Sequence, residues 1–159
     1  MWLFKLLGVA LLTCSGLGVS HELNRRASAA LQQNEAMMAL IRTVRGQVEC
    51  FAKPISEILR ACDPGELAAC GYTSAETPND LLALVRHCLI YDEKTMQIVL
   101  RFAEEFGRGY REDEVLGCDY ALSLLEERRA HLATEIPAKK KRNCVLALCA
   151  ALATAILLL

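Results

Sequence analysis

The chain has 159 residues, enough for one small domain, and 53% of them are hydrophobic. Its 18 Lys and Arg residues nearly balance 19 Asp and Glu residues, and they form no basic stripe with interleaved aromatic side chains. Apart from the basic cluster at residues 139–142, the chain lacks the electrostatic footprint of a nucleic-acid-binding protein. The charges avoid both ends, since Lys5 is the only charged residue before residue 21 and none follows Arg142.

Residues 1–20 predict an N-terminal transmembrane helix. A helix of about 20 residues, rising about 1.5 Å per residue, matches the apolar core of a bilayer. Trp2 and Phe4 suit the membrane boundary, and Lys5 lies close enough to the chain start for its ammonium to reach the interface. A cleaved signal peptide is the alternative, because a short basic start and a small-residue end to the apolar stretch also fit that class of segment.

Residues 21–142 predict a helical domain that begins with a long helix. Apolar or small residues recur with a 3-4 spacing from Ala27 to Phe51, with Asn34 in one polar gap. Pro54 interrupts this pattern. A short amphipathic helix then follows up to Cys62, and residues 66–70 have room for at most two further turns.

Three more helices are predicted towards the end of the domain. Thr77 is a candidate N-cap, with Pro78 in the first helical position, where its missing donor costs little. The next helix begins near Asp92 and ends at Gly107. The last begins at Arg111 and leads towards the second apolar end.

These elements predict an all-α fold, a helical bundle of about 5–6 helices with N- and C-terminal transmembrane helices. No run alternates apolar and polar residues with period two, so we expect no sheet. In the last helix, as in the first, apolar residues recur with a 3-4 spacing. This apolar seam is interrupted at Arg129. The expected core residues are Met37, Ile41, Val44, Val48, Leu122 and Leu125.

Residues 143–159 predict a C-terminal transmembrane helix at the short end of the usual range. Basic residues near a membrane segment favour its cytoplasmic side. Here the basic residues that flank both apolar ends lie on the side of the middle domain, which predicts a cytoplasmic domain. They are Arg25, Arg26, Lys139, Lys140, Lys141 and Arg142.

The chemistry-bearing residues form no recognisable catalytic or metal-binding motif. Five of the eight cysteines fall within the middle domain, without a Cys-x-x-Cys pair, and are expected to be small buried side chains: Cys50, Cys62, Cys70, Cys88 and Cys118. The histidines His21, His87 and His131 lie in no motif. We therefore predict no enzyme, no cofactor and no metal site.

One segment resembles a known family. Residues 102–125, which read FAEEFGRGYREDEVLGCDYALSLL, look like a segment of the stage III sporulation protein AB family of endospore-forming bacteria. A weaker stretch over residues 48–59, VECFAKPISEIL, is similar to the family's helix, proline and amphipathic helix. The matches are Phe106, Gly107 and Arg108, and the departures are Gly109, Tyr110 and Glu114, where Ser, Asp and Gln are expected.

The resemblance covers essentially the whole chain and implies a function. Members are similar to the cytoplasmic domains of secretion-platform proteins. The implied role is a non-enzymatic scaffold or platform in the mother-cell sporulation (stage III A) channel, a secretion-like membrane complex. The implied partners are the other stage III A membrane proteins and their ATPase, with a homo-oligomer also allowed and no nucleic acid. The implied location is the mother-cell membrane.

The residues from Phe106 to Tyr110, which we call the connector, lie between the last two predicted helices. One hypothesis makes the connector, which consists of Phe106, Gly107, Arg108, Gly109 and Tyr110, an exposed contact for a partner. The other makes it a tight turn with Tyr110 packed inward. For the whole chain, the alternative function is that of a small exported or lipid-anchored helical binding protein.

Overall fold

The computed structural model describes the backbone of residues 2–51 and 53–158, and their side chains except at 2–17, 19, 20, 148, 151, 152 and 154–158. Over these ranges no strand forms, and one isolated antiparallel bridge joins Tyr72 and Cys88. The all-α class and the predicted number of helices are confirmed. The helices are α1 (Trp2–Phe51), α2 (Ile55–Ala61), α3 (Pro64–Ala69), α4 (Leu81–Arg86), α5 (Glu93–Glu105) and α6 (Arg111–Leu158).

The two predicted transmembrane helices, residues 1–20 and 143–159, consist largely of side chains that lie outside the described set. Among the residues that are described, none of the helices combines the length and the hydropathy needed to cross a bilayer. The two anchors therefore stay predictions.

The chain divides into two compact units. Residues 1–28 and 133–159 form the terminal unit, and residues 29–132 form the central unit. Within the terminal unit, the Asn143 side-chain amide donates a hydrogen bond of 3.3 Å to the Asn24 side-chain oxygen. This bond joins α1 to α6 in that unit.

The core of the central unit contains most of the residues that the heptad seams predict. Five of the six are buried, and Leu122 is half-buried and packs against the same cluster. The shorter helices add Leu59, Leu84 and Val99, all nearly inaccessible to solvent. Burial of each large aliphatic side chain stabilises the fold by about 1.5–3 kcal/mol. The helical periodicity therefore identified the core correctly.

The predicted helix start at Thr77 and Pro78 is wrong, because α4 begins at Leu81. Asp80 is the N-cap, with extended backbone angles, and its carboxylate accepts a hydrogen bond of 2.5 Å from the amide of Ala83. A carboxylate at this position accepts a hydrogen bond from an otherwise unpaired backbone amide. Its negative charge is also stabilised by the positive end of the helix dipole. Asp80 therefore competes successfully with the Thr-Pro signal three residues earlier.

The predicted boundaries of α5 are confirmed. Asp92 is its N-cap and accepts a hydrogen bond of 2.9 Å from the amide of Thr95. The helix ends at Glu105, and Gly107 has φ +87°, a conformation that glycine adopts without the steric cost of a Cβ. The next helix then begins at Arg111, as predicted.

Candidate functional site

The backbone changes direction at the start of the connector, directly after α5. Phe106 is extended, with φ −65° and ψ 139°, while its amide still donates a hydrogen bond of 2.9 Å to the carbonyl of Phe102. Gly107 follows in the left-handed region. The sequence Phe-Gly therefore ends the helix and directs the chain back towards α6.

Two acidic residues in the first turn of α6 hold the connector. The Glu114 carboxylate oxygen Oε1 accepts hydrogen bonds of 2.9 Å from the amides of both Gly107 and Gly109. Asp113 accepts a bond of 3.3 Å from the amide of Tyr110. Hydrogen bonds from backbone amides to an ionised carboxylate are stronger than those between neutral groups. The connector is thus fixed by charge from the helix that follows it.

A groove with a cavity volume of about 480 Å³ lies between α5 and the first part of α6, beside the connector. Phe102 and Ala121 in its lining are buried, whereas Tyr120 is exposed. The lining thus joins core residues to solvent-facing ones. Its apolar members are Ile98, Phe102, Phe106, Ala121 and Leu124, its polar members are Gln97, Arg101, Glu105, Asp113, Glu114 and Tyr120, and its glycines are Gly109 and Gly117.

The polar lining of the groove carries more negative than positive charge. Its one basic residue, Arg101, already pairs with Glu105 at 3.1 Å, four residues along the same helix. The hydrogen bond and charge of Glu105 raise the pKa of Arg101. Asp113 and Glu114 add two further carboxylates. The groove is therefore an apolar channel with a net acidic border.

Two of the five connector residues line the groove, and the other three lie outside its lining. Phe106 and Gly109 line the groove. Gly107 forms the turn, and Arg108 is exposed. Tyr110 is 86% exposed, so the prediction that it packs inward is wrong. The contact role of the connector stays a prediction, but its side chains now have positions beside a defined cavity.

The predicted membrane-flanking basic residues lie in the terminal unit, where part of their charge is paired. Arg25 and Arg26 contact Glu22 at 2.9 and 3.1 Å, and these hydrogen bonds hold the pKa of that carboxyl below its usual value. Lys139 contacts Glu135 at 2.9 Å. The remaining members of the set are exposed: Lys140, Lys141 and Arg142.

A buried ion pair links α6 to the start of α5 and was missed by the sequence reasoning. Arg128 makes two hydrogen bonds to the Asp92 carboxylate, at 2.9 and 2.7 Å, with side chains only 9% and 13% exposed. Burial raises the pKa of Asp92, but the bonds from Arg128 and from Thr95 outweigh it and lower that pKa to about 2.

The seam of α6 held a signal for this pair. We predicted Arg129 as the charged residue that interrupts the seam, but Arg129 is exposed and Arg128 is the buried one. Both positions fit a 3-4 spacing after Leu125, since they lie three and four residues beyond it. The helical period of the sequence could not show which of the two arginines is buried, because that depends on where Asp92 lies in the folded chain.

The polar gap in the seam of α1 is also part of this buried cluster. Asn34 is fully buried, and its amide donates a hydrogen bond of 3.2 Å to the hydroxyl of Thr95, which itself donates to Asp92 at 2.8 Å. The side-chain oxygen of the neighbouring Gln33 accepts a hydrogen bond of 3.1 Å from the backbone amide of Tyr91. Polar side chains therefore fix the register of α1 against the start of α5.

The cysteines differ in burial more than predicted. Cys70 and Cys118 are buried, and burial is the main cause that raises the pKa of each thiol to about 12. Cys50 is exposed, so its predicted burial is wrong, because it lies at the solvent-facing end of α1. Among the described residues, no group of three or more His, Cys, Asp or Glu is placed to hold a metal ion.

Comparisons with known proteins do not assign the chain to a family. No protein-family model, no curated protein and no solved structure matches it. A function for this chain therefore has to be inferred from its own residues and their geometry.

Proposed function

We propose that the chain is a non-enzymatic scaffold component of the mother-cell sporulation (stage III A) membrane complex, and that it works by binding other proteins. The observation that supports this proposal most directly concerns the matched motif. The three residues that match a segment of the stage III sporulation protein AB family lie in the connector, beside the groove: Phe106, Gly107 and Arg108. Phe106 packs in part against the core, whereas Arg108 is exposed on the turn, a position where loop residues on a rigid scaffold often make contacts.

The ion pairs of the central unit support a scaffold role. Arg45 on α1 contacts Asp119 on α6 at 2.6 Å, and Arg128 on α6 contacts Asp92 at 2.7 Å. Both pairs join distant parts of the chain, and the buried Arg128–Asp92 pair is the one that favours a single arrangement of the helices. A domain with one arrangement keeps the groove preformed, which lowers the entropic cost of binding a partner.

In this proposal the middle domain, residues 21–142, lies on the cytoplasmic side of the mother-cell membrane, with anchors at residues 1–20 and 143–159. The support is the position of the basic residues around Arg25 and Lys140 on the inner flank of each apolar end. Alkaline phosphatase fused within the loop at residues 74–79 should be inactive, and a green fluorescent protein fused there should fluoresce. Phosphatase activity would instead favour the exported binding protein.

The role in sporulation is tested by deletion and complementation. We expect deletion of the gene to reduce heat-resistant spore counts, and the wild-type chain to restore them. Arg108→Glu with Tyr110→Ala should restore them poorly, because both exposed side chains lie beside the groove. Arg60→Glu is the matched control, since Arg60 is exposed on α2. Normal spore counts after deletion would contradict the proposed function.

A further inference from the structure

We infer that the groove between α5 and α6 binds an amphipathic helix that carries apolar side chains on one face and Lys or Arg beside them. This inference rests on the proposed function as a scaffold and names the chemistry of its partner. Three properties of the groove carry it: its length, its apolar lining and its acidic border.

The length of the groove fits a short helix. The lining residues run from 97 on α5 to 106 just beyond its end, and from 113 to 124 on α6. At about 1.5 Å per residue these stretches are about 14–17 Å long. This corresponds to about three turns of a bound helix. Both walls are helices, so the partner meets side chains rather than a free strand edge, and a helix laid in the groove is the matching mode.

The lining places apolar groups where such a helix needs them. Ile98 and Phe102 lie four residues apart on α5, Phe106 follows directly after that helix, and all three line the groove. Ala121 and Leu124 lie on the α6 wall. Anchors at positions i, i+3, i+4 and i+7 of a partner helix can pack against these side chains.

Gly117 increases the room on the α6 wall. A Cβ added there would meet no atom within 4 Å, although the residue lies inside a helix and lines the cavity. Glycine inside a helix costs about 1 kcal/mol relative to alanine. The space above Gly117 is therefore open for a partner side chain.

The charge of the border selects a basic partner. Glu105, Asp113 and Glu114 supply three carboxylates against the single guanidinium of Arg101. Arg101 is already paired with Glu105, so an acidic partner would meet excess negative charge. Complementary charge speeds association and suppresses partners of like charge.

The probe is a pair of synthetic helical peptides of about 14 residues, a length that covers the three turns. Both have Leu at i, i+3, i+4 and i+7, and the remaining positions are Lys in one and Glu in the other. Binding to the full chain, held in nanodiscs of zwitterionic lipid, is measured by fluorescence anisotropy, with empty nanodiscs as the blank. We expect the Lys peptide to bind at least about tenfold more tightly than the Glu peptide.

A pair of glycine variants shows whether the peptide lies in the groove. Gly117→Leu fills the open space and should weaken binding of the Lys peptide by about tenfold or more. Gly46→Leu is the matched control, because Gly46 also lies within a helix with nothing within 4 Å of an added Cβ, but outside the groove. It should leave the affinity unchanged, and circular dichroism should show both variants folded.

A second pair of variants tests the charge. Glu105→Gln removes a carboxylate from the border and should weaken binding and reduce its dependence on salt. Glu104→Gln, on the same helix but outside the lining, is the control. Equal affinity for the Lys and Glu peptides, or an unchanged affinity in Gly117→Leu, would overturn the inference.

The other occupants of the groove give distinct results. Self-association of the chain that Gly117→Leu abolishes, without binding of the Lys peptide, would show a second copy in the groove and overturn the basic-helix partner. Binding of a small apolar dye that Gly117→Leu blocks, again without peptide binding, would show a small-molecule site and overturn it as well. The reporter and spore assays do not use the peptides, so failure here is distinguishable from failure of the proposed function.

Discussion

Replacement of Asp92 by Asn tests the buried ion pair at the start of α5. The variant keeps the size of the side chain and an oxygen that can accept from Thr95, but it removes the charge that faces Arg128. The Asp92 pKa falls from 3.8 to about 2, and each unit corresponds to about 1.4 kcal/mol. The ionised carboxylate is therefore linked to about 2.5 kcal/mol of folding stability.

The size of this effect agrees with the geometry. Arg128 donates two hydrogen bonds, at 2.9 and 2.7 Å, to a carboxylate whose side chain is 13% exposed. Hydrogen bonds to charged groups contribute about 1.5–3 kcal/mol, and loss of one partner of a buried pair is more costly than loss of an exposed pair. At neutral pH we expect Asp92→Asn to lower the free energy of unfolding by about 2–3 kcal/mol.

The pH dependence has a definite sign. The pKa of Asp92 is depressed in the folded protein, so its contribution is fully present above 3.8 and is lost as the pH falls towards 2. The difference in stability between the wild type and Asp92→Asn should therefore be constant at neutral pH and shrink in acid. Urea unfolding followed by far-UV circular dichroism at a series of pH values measures both free energies.

Asp119→Asn is the matched control for this experiment. Asp119 also pairs with an arginine from a distant part of the chain, at 2.6 Å, but its side chain is 48% exposed and that of Arg45 is 31% exposed. Solvent-exposed pairs contribute little because water and salt screen them. If Asp119→Asn destabilised the protein as much as Asp92→Asn, or if the Asp92→Asn difference did not vary with pH, the reasoning would be refuted.

Three further predictions concern the turns and the groove. Gly71→Ala should destabilise more than Gly107→Ala in urea unfolding, since both have positive φ but a Cβ at Gly71 would lie 2.7 Å from a backbone oxygen; equal losses would contradict this. Glu114→Ala should speed hydrogen exchange at the two connector amides it binds, and unchanged exchange would remove its anchoring role. Gly117→Ala should stabilise the protein by up to about 1 kcal/mol in the same unfolding assay, whereas a loss would show that the space above Gly117 is not open.

Much of the fold follows from local rules. The 3-4 spacing of apolar residues predicted which face of α1 is buried, and Asp92 and Gly107 marked both ends of α5. Such signals depend on a few neighbouring residues, so they can be read without the tertiary structure. The prediction failed at Thr77, where two local helix-start signals competed and the carboxylate of Asp80 was the stronger.

The candidate site was predictable only in part. Phe106, Gly107 and Arg108 drew attention to the connector, because glycine between two helices marks a turn and the motif resembled a family segment. The groove beside it could not be predicted, since it needs residues from α5 and α6 to lie together across that turn. The hydrogen bond from the Gly109 amide to Glu114 could not be predicted for the same reason, because it too joins residues across that turn.

By itself, the sequence determined the helical class of this protein, the seams of its two long helices and the concentration of charge between two apolar ends. These properties depend on the period of side chains along a helix and on composition. The tertiary structure alone decided that Arg128 rather than Arg129 is buried, that Asn34 bonds to Thr95, and that an acidic border surrounds the groove. Each of these depends on which residues meet from distant parts of the chain, and spacing within one helix carries no information about its partner.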